Sequence, residues 1–142
     1  MAIVSTGLGS ISDSNSLLAQ RFVMPLNAYG LLLWYDVISE EPLEYVGKKY
    51  DDTAEIRISV PDGPSAVIAR ETVNSSDWQP IEGIDLPGGD KTVYHTGWKN
   101  RVFVVDDAYQ GKTVVLEVNC WDVGDSAFDT AIIVDKVELR TR

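Results

Sequence analysis

Hydrophobic and polar residues alternate with a period of two along much of the chain. From Thr53 to Val60, four apolar residues alternate with Glu55, Arg57 and Ser59, which is the pattern of a β-strand with one buried face. The segment from Thr113 to Trp121 has the same pattern, with one apolar face formed by Val114, Leu116, Val118 and Cys120. Shorter segments rich in β-branched and aromatic residues predict further strands at Ala19–Met24, Tyr29–Ile38, Ala66–Val73, Lys91–Tyr94, Arg101–Asp106 and Ala131–Leu139.

Turn sequences separate these predicted strands. They contain the Gly, Pro and Asp residues that favour tight turns and lie at Pro61–Pro64, Pro87–Asp90 and Gln110–Lys112. No long segment repeats with the 3.6-residue period of a helix. Many short strands joined in this way predict an all-β fold, an antiparallel β-sandwich of the jelly-roll type. Because no internal repeat or linker divides the chain, we expect a single domain over residues 1–142.

The charge of the chain narrows the classes of partner. Twenty-two acidic residues against twelve basic ones give a formal net charge of -10 in 142 residues, 44% of which are hydrophobic. That hydrophobic content is enough for a core. The negative charge opposes binding to nucleic acid and to anionic membrane surfaces. It suits divalent cations, provided that the carboxylates gather into sites.

Several chemistries are disfavoured by scarce residue types. The single cysteine, Cys120, excludes a disulfide within the chain, and the single histidine, His95, leaves a structural zinc site without a ligand set. Nothing around His95 suggests an activated nucleophile, so no catalytic residues are predicted. No apolar run is long enough to span a bilayer. Met1–Ser16 does not resemble a signal peptide, so either a signal was removed or the native protein has none.

The acidic residues are concentrated in two segments. Asp36–Asp52 holds six acids against two bases, and Asp122–Asp135 holds four acids and no base. Dense carboxylates repel one another unless they are solvated or neutralised by a cation, so a solvated loop and a calcium site both remain open. The spacing around Gly124 is not that of an EF-hand. A calcium site would therefore combine separate loops, with candidate ligands Glu40, Glu41, Asp51, Asp52, Asp122, Asp125 and Asp129.

Asp135 is a further candidate calcium ligand in the last predicted strand. If it shares the core face with Ile133, Val137 and Leu139, its carboxylate is partly buried and needs an arginine, backbone amides or a metal ion as its partner. The opposite strand phase exposes Asp135 and buries Ile132 and Val134 instead. The phase of this strand decides between the two.

Aromatic residues supply candidate ligand-binding side chains. The chain has four tryptophans, and such rings serve either as core packing or as a stacking platform for a sugar or another flat ligand. Trp78 and Trp98 lie beside predicted loops and are the best candidates for a platform.

Several segments together carry a family resemblance: Val37–Gly47, Tyr50–Thr53, Ser75–Ser76, Thr96–Trp98, Asp122–Ala131 and Val134–Val137. They resemble the bacterial extracellular modules known as choice-of-anchor domains, and the resemblance covers Tyr35–Leu139. It implies a calcium-supported β-sandwich from an adhesin-like or secreted protein. The last strand also resembles the closing strand of carbohydrate-binding jelly rolls, which implies a structural calcium at Asp135.

These observations predict a non-catalytic, calcium-binding module of the cell surface or extracellular space. Its role is adhesion or the binding of a surface glycan or a protein ligand, without nucleic acid and without insertion into a membrane. The alternative is a small structural protein that decorates a virion or a surface appendage and docks on a larger assembly.

Overall fold

The computed structural model describes residues 1–6, 15–84, 86, 92–124 and 128–142. Within these residues the chain forms ten strands in two sheets. The strands are β1 (Ala2–Ser5), β2 (Asn15–Val23), β3 (Ala28–Ser39), β4 (Thr53–Ser59), β5 (Ser65–Thr72), β6 (Gln79–Ile81), β7 (Val93–His95), β8 (Lys99–Val104), β9 (Thr113–Trp121) and β10 (Thr130–Thr141). In this part of the chain no helix is both long and apolar enough to cross a membrane.

The two sheets pack face to face as a sandwich. The first sheet has the order β1-β10-β3-β7-β6, with β8 also paired to β3, and the second has the order β2-β9-β4-β5. Their strand pairs are antiparallel. The described strands change sheet six times along the chain, between β1 and β2, β2 and β3, β3 and β4, β5 and β6, β8 and β9, and β9 and β10, as in a jelly roll. The predicted all-β antiparallel sandwich is confirmed.

The strands predicted from the sequence correspond to β2–β5 and β7–β10, although Lys91 lies outside the described residues. The alternating face of β9 is buried as predicted, with Val114, Leu116, Val118 and Cys120 no more than 6% exposed. They pack with Ile56 and Ile58 of β4 and with the inward side chains of β3. Burial of such side chains supplies the main free energy that holds the sheets together. The short strands β1 and β6 were not predicted, because three or four residues carry too little pattern.

A β-bulge interrupts the last strand at Asp135. Val134 pairs with Tyr35 and Lys136 pairs with Trp34, so Asp135 has no partner of its own. Such an extra residue reverses the alternation of side chains along the strand. Before the bulge, Ile132 and Val134 are the buried residues, and Asp135 itself is exposed. Of the two phases that the sequence leaves open, the structure has the one that buries Ile132 and Val134 and exposes Asp135.

Candidate functional site

One edge of β3 is shared by two strands with a gap between them. β8 pairs with Gly30–Tyr35, and β7 pairs with Ile38 and Ser39. The turn at Thr96–Trp98 spans the gap, where the Thr96 backbone N–H donates to the Val37 carbonyl oxygen at 2.9 Å. Gly97 has a φ of +72°, a conformation that side chains disfavour. The sharp turn brings Trp98 to the surface beside the outward face of β3.

A hydrogen-bond network fixes this turn to β3. The Asp36 carboxylate lies 2.9 Å from His95 Nδ1 and accepts a 3.1 Å hydrogen bond from Thr96 Oγ1. The Val37 backbone N–H donates to the same threonine hydroxyl at 3.2 Å. Asp36 is 5% exposed, and its buried oxygens have these partners to offset the loss of water. The network holds the segment that carries Trp98.

The turn and β3 together form an open surface groove. It has a volume of about 510 Å³ and is lined by Trp34, Trp98, Asp135 and Lys136. Trp34 is 36% exposed and Trp98 is 50% exposed. Asn100, also exposed, pairs with Trp34 across the β3–β8 ladder. The bulge at Asp135 presents that carboxylate on the groove, although the sequence suggested it as a metal ligand.

The groove combines two flat apolar rings with charged groups of both signs. Its volume lies within the range of about 300–1,000 Å³ typical of ligand sites. Lys136 Nζ forms a 2.8 Å ion pair with Glu138, and both side chains remain accessible to solvent. Indole faces pack against apolar ligand surfaces, while an ammonium donates and a carboxylate accepts hydrogen bonds. The arrangement suits a ligand with an apolar face and a polar edge.

The predicted aromatic candidates have different environments. Trp98 lies on the groove as expected for a binding residue. Trp78 is half-buried, packs against the core, and donates its indole N–H to the Val73 carbonyl oxygen at 3.0 Å. These contacts give Trp78 a packing role, and ligand binding by its ring stays a prediction. Trp34 was not predicted as a binding residue, because it lies in a continuous apolar run that does not show which side chains face outward. Trp34 and Asp36 are two residues apart in β3 and therefore point to the same side of the sheet. The polar Asp36 marks that side as the outer one.

The predicted acidic loops meet at one end of the sandwich, here called the acidic end. Five carboxylates there are between 1% and 7% exposed, namely those of Glu40, Glu41, Asp52, Asp122 and Asp129. They follow or precede β3, β4, β9 and β10, whose ends adjoin one another because Thr130 pairs with Ser39 and Thr53 pairs with Trp121. Strand pairing therefore brings the segments that carry these residues to one end of the sandwich, and their gathering into a single site stays a prediction.

Backbone amides and hydroxyls hold several of these carboxylates. Asp52 Oδ1 accepts a 2.8 Å hydrogen bond from the Val123 N–H, and Glu40 Oε2 accepts one of 3.2 Å from the Asp129 N–H. Thr6 Oγ1 donates to Asp129 Oδ1 at 3.4 Å. These contacts tie the β9–β10 connection to the ends of β3 and β4. These acidic residues therefore stabilise the β9–β10 connection through hydrogen bonds.

Burial changes the acid–base properties of this end. It raises the pKa of Asp52 from its ordinary 3.8 to about 7, and the nearby Asp122 carboxylate adds to the rise while the Val123 N–H opposes it. Burial also raises the pKa of the Cys120 thiol, and the charges of Asp52, Asp122 and Asp129 act in the same direction. Cys120 is thus a protonated, unreactive thiol at neutral pH.

A calcium site requires several ligand side chains to be arranged around one point. Among the residues that the structure describes, no group of three or more His, Cys, Asp or Glu side chains is arranged to hold a metal ion. Asp51 is half-buried and accepts a 2.8 Å hydrogen bond from the Asn74 N–H. Asp135 lies on the groove, five residues along β10 from the acidic end. Asp125 lies outside the described residues. Calcium binding therefore stays a prediction.

Comparisons with known proteins give no family for the chain. No protein-family model matches it, and no curated protein matches its sequence. The resemblance to choice-of-anchor domains is not supported by these comparisons.

Two solved structures have a similar fold, and both are carbohydrate-binding modules. TmCBM61, in complex with beta-1,4-galactotriose, is 13% identical, with a TM-score of 0.47 over 92% of this chain and 66% of that one. CBM27-1 of Caldicellulosiruptor saccharolyticus, in complex with mannohexaose, is 13% identical, with a TM-score of 0.48 over 94% of this chain and 69% of that one. The chain thus spans about two thirds of their length. Likeness of this degree concerns the arrangement of strands and does not identify a ligand.

Proposed function

We propose that this chain is a non-catalytic module that binds a neutral carbohydrate in the groove between Trp34 and Trp98. The observation that carries the proposal is the exposure of both indoles in one groove, beside Asp135 and Lys136. Covering exposed apolar surface is favourable by about 25 cal/mol per Å². Two adjacent indoles therefore offer a larger gain to a ligand than scattered surface residues do.

The ligand class follows from the chemistry of the groove. A sugar ring has a C–H face that packs on indole and hydroxyl groups that both donate and accept hydrogen bonds. Asp135 accepts such bonds, Lys136 donates them, and the Asn100 amide does both. A polyanionic ligand is disfavoured by the net charge of -10. A neutral, hydroxyl-rich ligand fits these features best.

The contacts of His95 support binding rather than catalysis. Its Nδ1 is engaged by Asp36, an arrangement that also orients catalytic histidines. In the part of the chain described by the structure, however, no serine, threonine or cysteine side chain hydrogen-bonds to His95. The Asp36 carboxylate contacts both His95 and Thr96, at the start of the turn that carries Trp98. We therefore assign Asp36 and His95 a structural role at the groove.

The remaining sequence predictions belong to the same proposal. Calcium binding is supported by the joint burial of five carboxylates at the acidic end. A cell-surface or extracellular location and a role in adhesion would follow if the carbohydrate is a surface glycan. Binding of a protein ligand, and a structural role on a virion or appendage, stay predictions, and no contact described above favours them.

Affinity electrophoresis through gels containing neutral or acidic polysaccharides tests the proposal. We expect at least one neutral polysaccharide to retard the parent chain, and Trp98→Ala to remove the retardation while circular dichroism remains unchanged. Tyr29→Ala is the matched control, because Tyr29 is 42% exposed and does not line the groove. If no neutral polysaccharide retards the parent, or if Trp98→Ala and Tyr29→Ala behave alike, the groove is not a carbohydrate site.

A further inference from the structure

The outer edge of the second sheet is formed by β2. Its nine residues pair with β9 in one unbroken register, from Asn15 opposite Trp121 to Val23 opposite Thr113. In the part of the chain that the structure describes, no strand pairs with the other side of β2. A free edge presents unpaired N–H and C=O groups that can pair with another strand.

This edge lacks the features with which proteins usually block strand addition. The other strands with an open edge carry them: β6 has three residues including Pro80, β1 has four residues, and β5 follows Pro64 and pairs through an irregular register. β8, which pairs only with β3, has six residues and contains Lys99 and Arg101. β2 has no proline, no lysine and no bulge. It is the long, regular edge among the described strands.

The side chains of β2 leave apolar surface uncovered. Leu17, Leu18 and Val23 are 56%, 45% and 64% exposed. Leu18 stands opposite Val118, on the side of the sheet that faces the core. It lines a groove of about 230 Å³ together with Met1 and other residues, including Leu116, Val134 and Val137. The sandwich is therefore not sealed along β2.

Two copies of this acidic chain repel each other least where the surface carries few acidic residues, and the β2 edge is such a place. Ser14–Tyr35 contains no Asp or Glu, and Arg21 is its one charged residue, in a chain of net charge -10. Neither Arg21 nor Glu117, which stands on the adjacent strand opposite Ala19, has an ion pair or a side-chain hydrogen bond among the described residues.

We propose that β2 is a self-association edge, on which β2 of a second copy of this chain pairs antiparallel about Ala19. In that register Ala19 faces Ala19, Leu18 faces Gln20, and Leu17 faces Arg21, so no like charges oppose each other. Each arginine then lies diagonal to the small Ala19 of the other copy, with the partner copy's Glu117 beyond it. Nine paired residues supply about eight to ten backbone hydrogen bonds, similar to the roughly ten of a typical interface.

Sedimentation equilibrium of designed variants tests the edge and its register. We expect the parent to form a dimer of twice the 15.7 kDa chain mass as concentration rises. Because a two-fold interface counts each substitution twice, Ala19→Glu and Ala19→Lys should each raise the dissociation constant at least about tenfold. An equimolar mixture of the two variants should restore the dimer, since Glu then faces Lys.

Val67→Glu is the matched control, because Val67 is 45% exposed and lies on β5, at the opposite edge of the same sheet. It should leave the dimer intact. A parent chain that stays monomeric up to about 0.5 mM overturns the proposal, and so does a dimer that survives Ala19→Glu or is not restored in the mixture. Carbohydrate binding should be unchanged in these variants, since neither Ala19 nor Val67 lines the Trp34–Trp98 groove.

Discussion

The Tyr35 hydroxyl donates a 2.8 Å hydrogen bond to Glu71 Oε1 across the interior of the sandwich. Tyr35 belongs to β3 of the first sheet and is fully buried, whereas Glu71 belongs to β5 of the second. The other carboxylate oxygen of Glu71 accepts bonds from Ser76 Oγ at 2.6 Å and from Lys99 Nζ at 2.8 Å. A buried charge is thus fully paired, and the pairing links both sheets.

Tyr35→Phe should lower the free energy of unfolding by about 1.5–3 kcal/mol, the usual cost of losing a hydrogen bond to a charged group. Burial alone raises the pKa of Glu71, but the bonds from Lys99, Ser76 and Tyr35 outweigh it and hold the pKa below the ordinary 4.5. Urea denaturation at pH 7 measures the loss, and Tyr29→Phe, on an exposed ring, is the control. Equal stability of parent and Tyr35→Phe would contradict a role for this bond.

The raised pKa of Asp52 makes stability depend on pH near neutrality. Because the folded-state pKa is about 7 and the ordinary value is 3.8, the folded chain binds more protons than the unfolded chain between these values. The free energy of unfolding therefore decreases as pH rises from about 4 to 7. Glu71 acts in the opposite direction, but its contribution is lost only as pH falls below about 4.5.

Asp52→Asn should remove this dependence, since the amide is neutral at every pH and its oxygen still accepts the Val123 N–H bond. At pH 8 the variant should be more stable than the parent by up to about 4 kcal/mol, since one pKa unit corresponds to about 1.4 kcal/mol. At pH 4 the two should be alike. Thermal melts across pH 4–8 measure the difference, with the exposed Asp107→Asn as control; parallel curves for parent and Asp52→Asn would refute the assignment.

The sandwich itself could be predicted from the sequence because alternation is a local signal. Glu55, Arg57 and Ser59 mark the outer face of β4 residue by residue. The phase of β10 was not predictable, because the bulge at Asp135 adds one residue opposite Tyr35 and Trp34, and no local pattern announces it. The sequence leaves two phases open for this strand, and the structure has the one in which Ile132 and Val134 are buried and Asp135 is exposed.

The candidate groove depended on contacts between distant parts of the chain. Asp36 and His95 are 59 residues apart, and only the sharing of the β3 edge by β7 and β8 brings them together. The position of Glu40, Asp52, Asp122 and Asp129 at one end of the sandwich was predictable because each lies directly at a strand end. Whether they converge on an ion depends on angles and distances that sequence spacing does not specify.

Both tryptophans of the groove should contribute to carbohydrate binding, but Trp34 should contribute more than Trp98 to the stability of the fold. Trp98→Ala should weaken carbohydrate binding by tenfold or more, because it removes apolar ring surface whose burial by a ligand is favourable by about 25 cal/mol per Å². Trp34→Ala should weaken binding similarly and also lower the melting temperature, because Trp34 is central in β3, between Asn100 and Lys136. Isothermal titration and melting curves separate the effects; unchanged affinity in both variants would exclude the groove.

Calcium binding at the acidic end predicts a ligand-dependent stability. A calcium ion held by carboxylates such as those of Asp52, Asp122 and Asp129 should stabilise the fold by about 2.7 kcal/mol at one hundred times its dissociation constant. The melting temperature should then rise with calcium and fall with a chelator, and Asp122→Asn should abolish both effects. Magnesium is the control ion, because it needs stricter octahedral geometry and retains its waters. A melting temperature that is independent of calcium in the parent chain would show that hydrogen bonds and protonation alone accommodate these buried carboxylates.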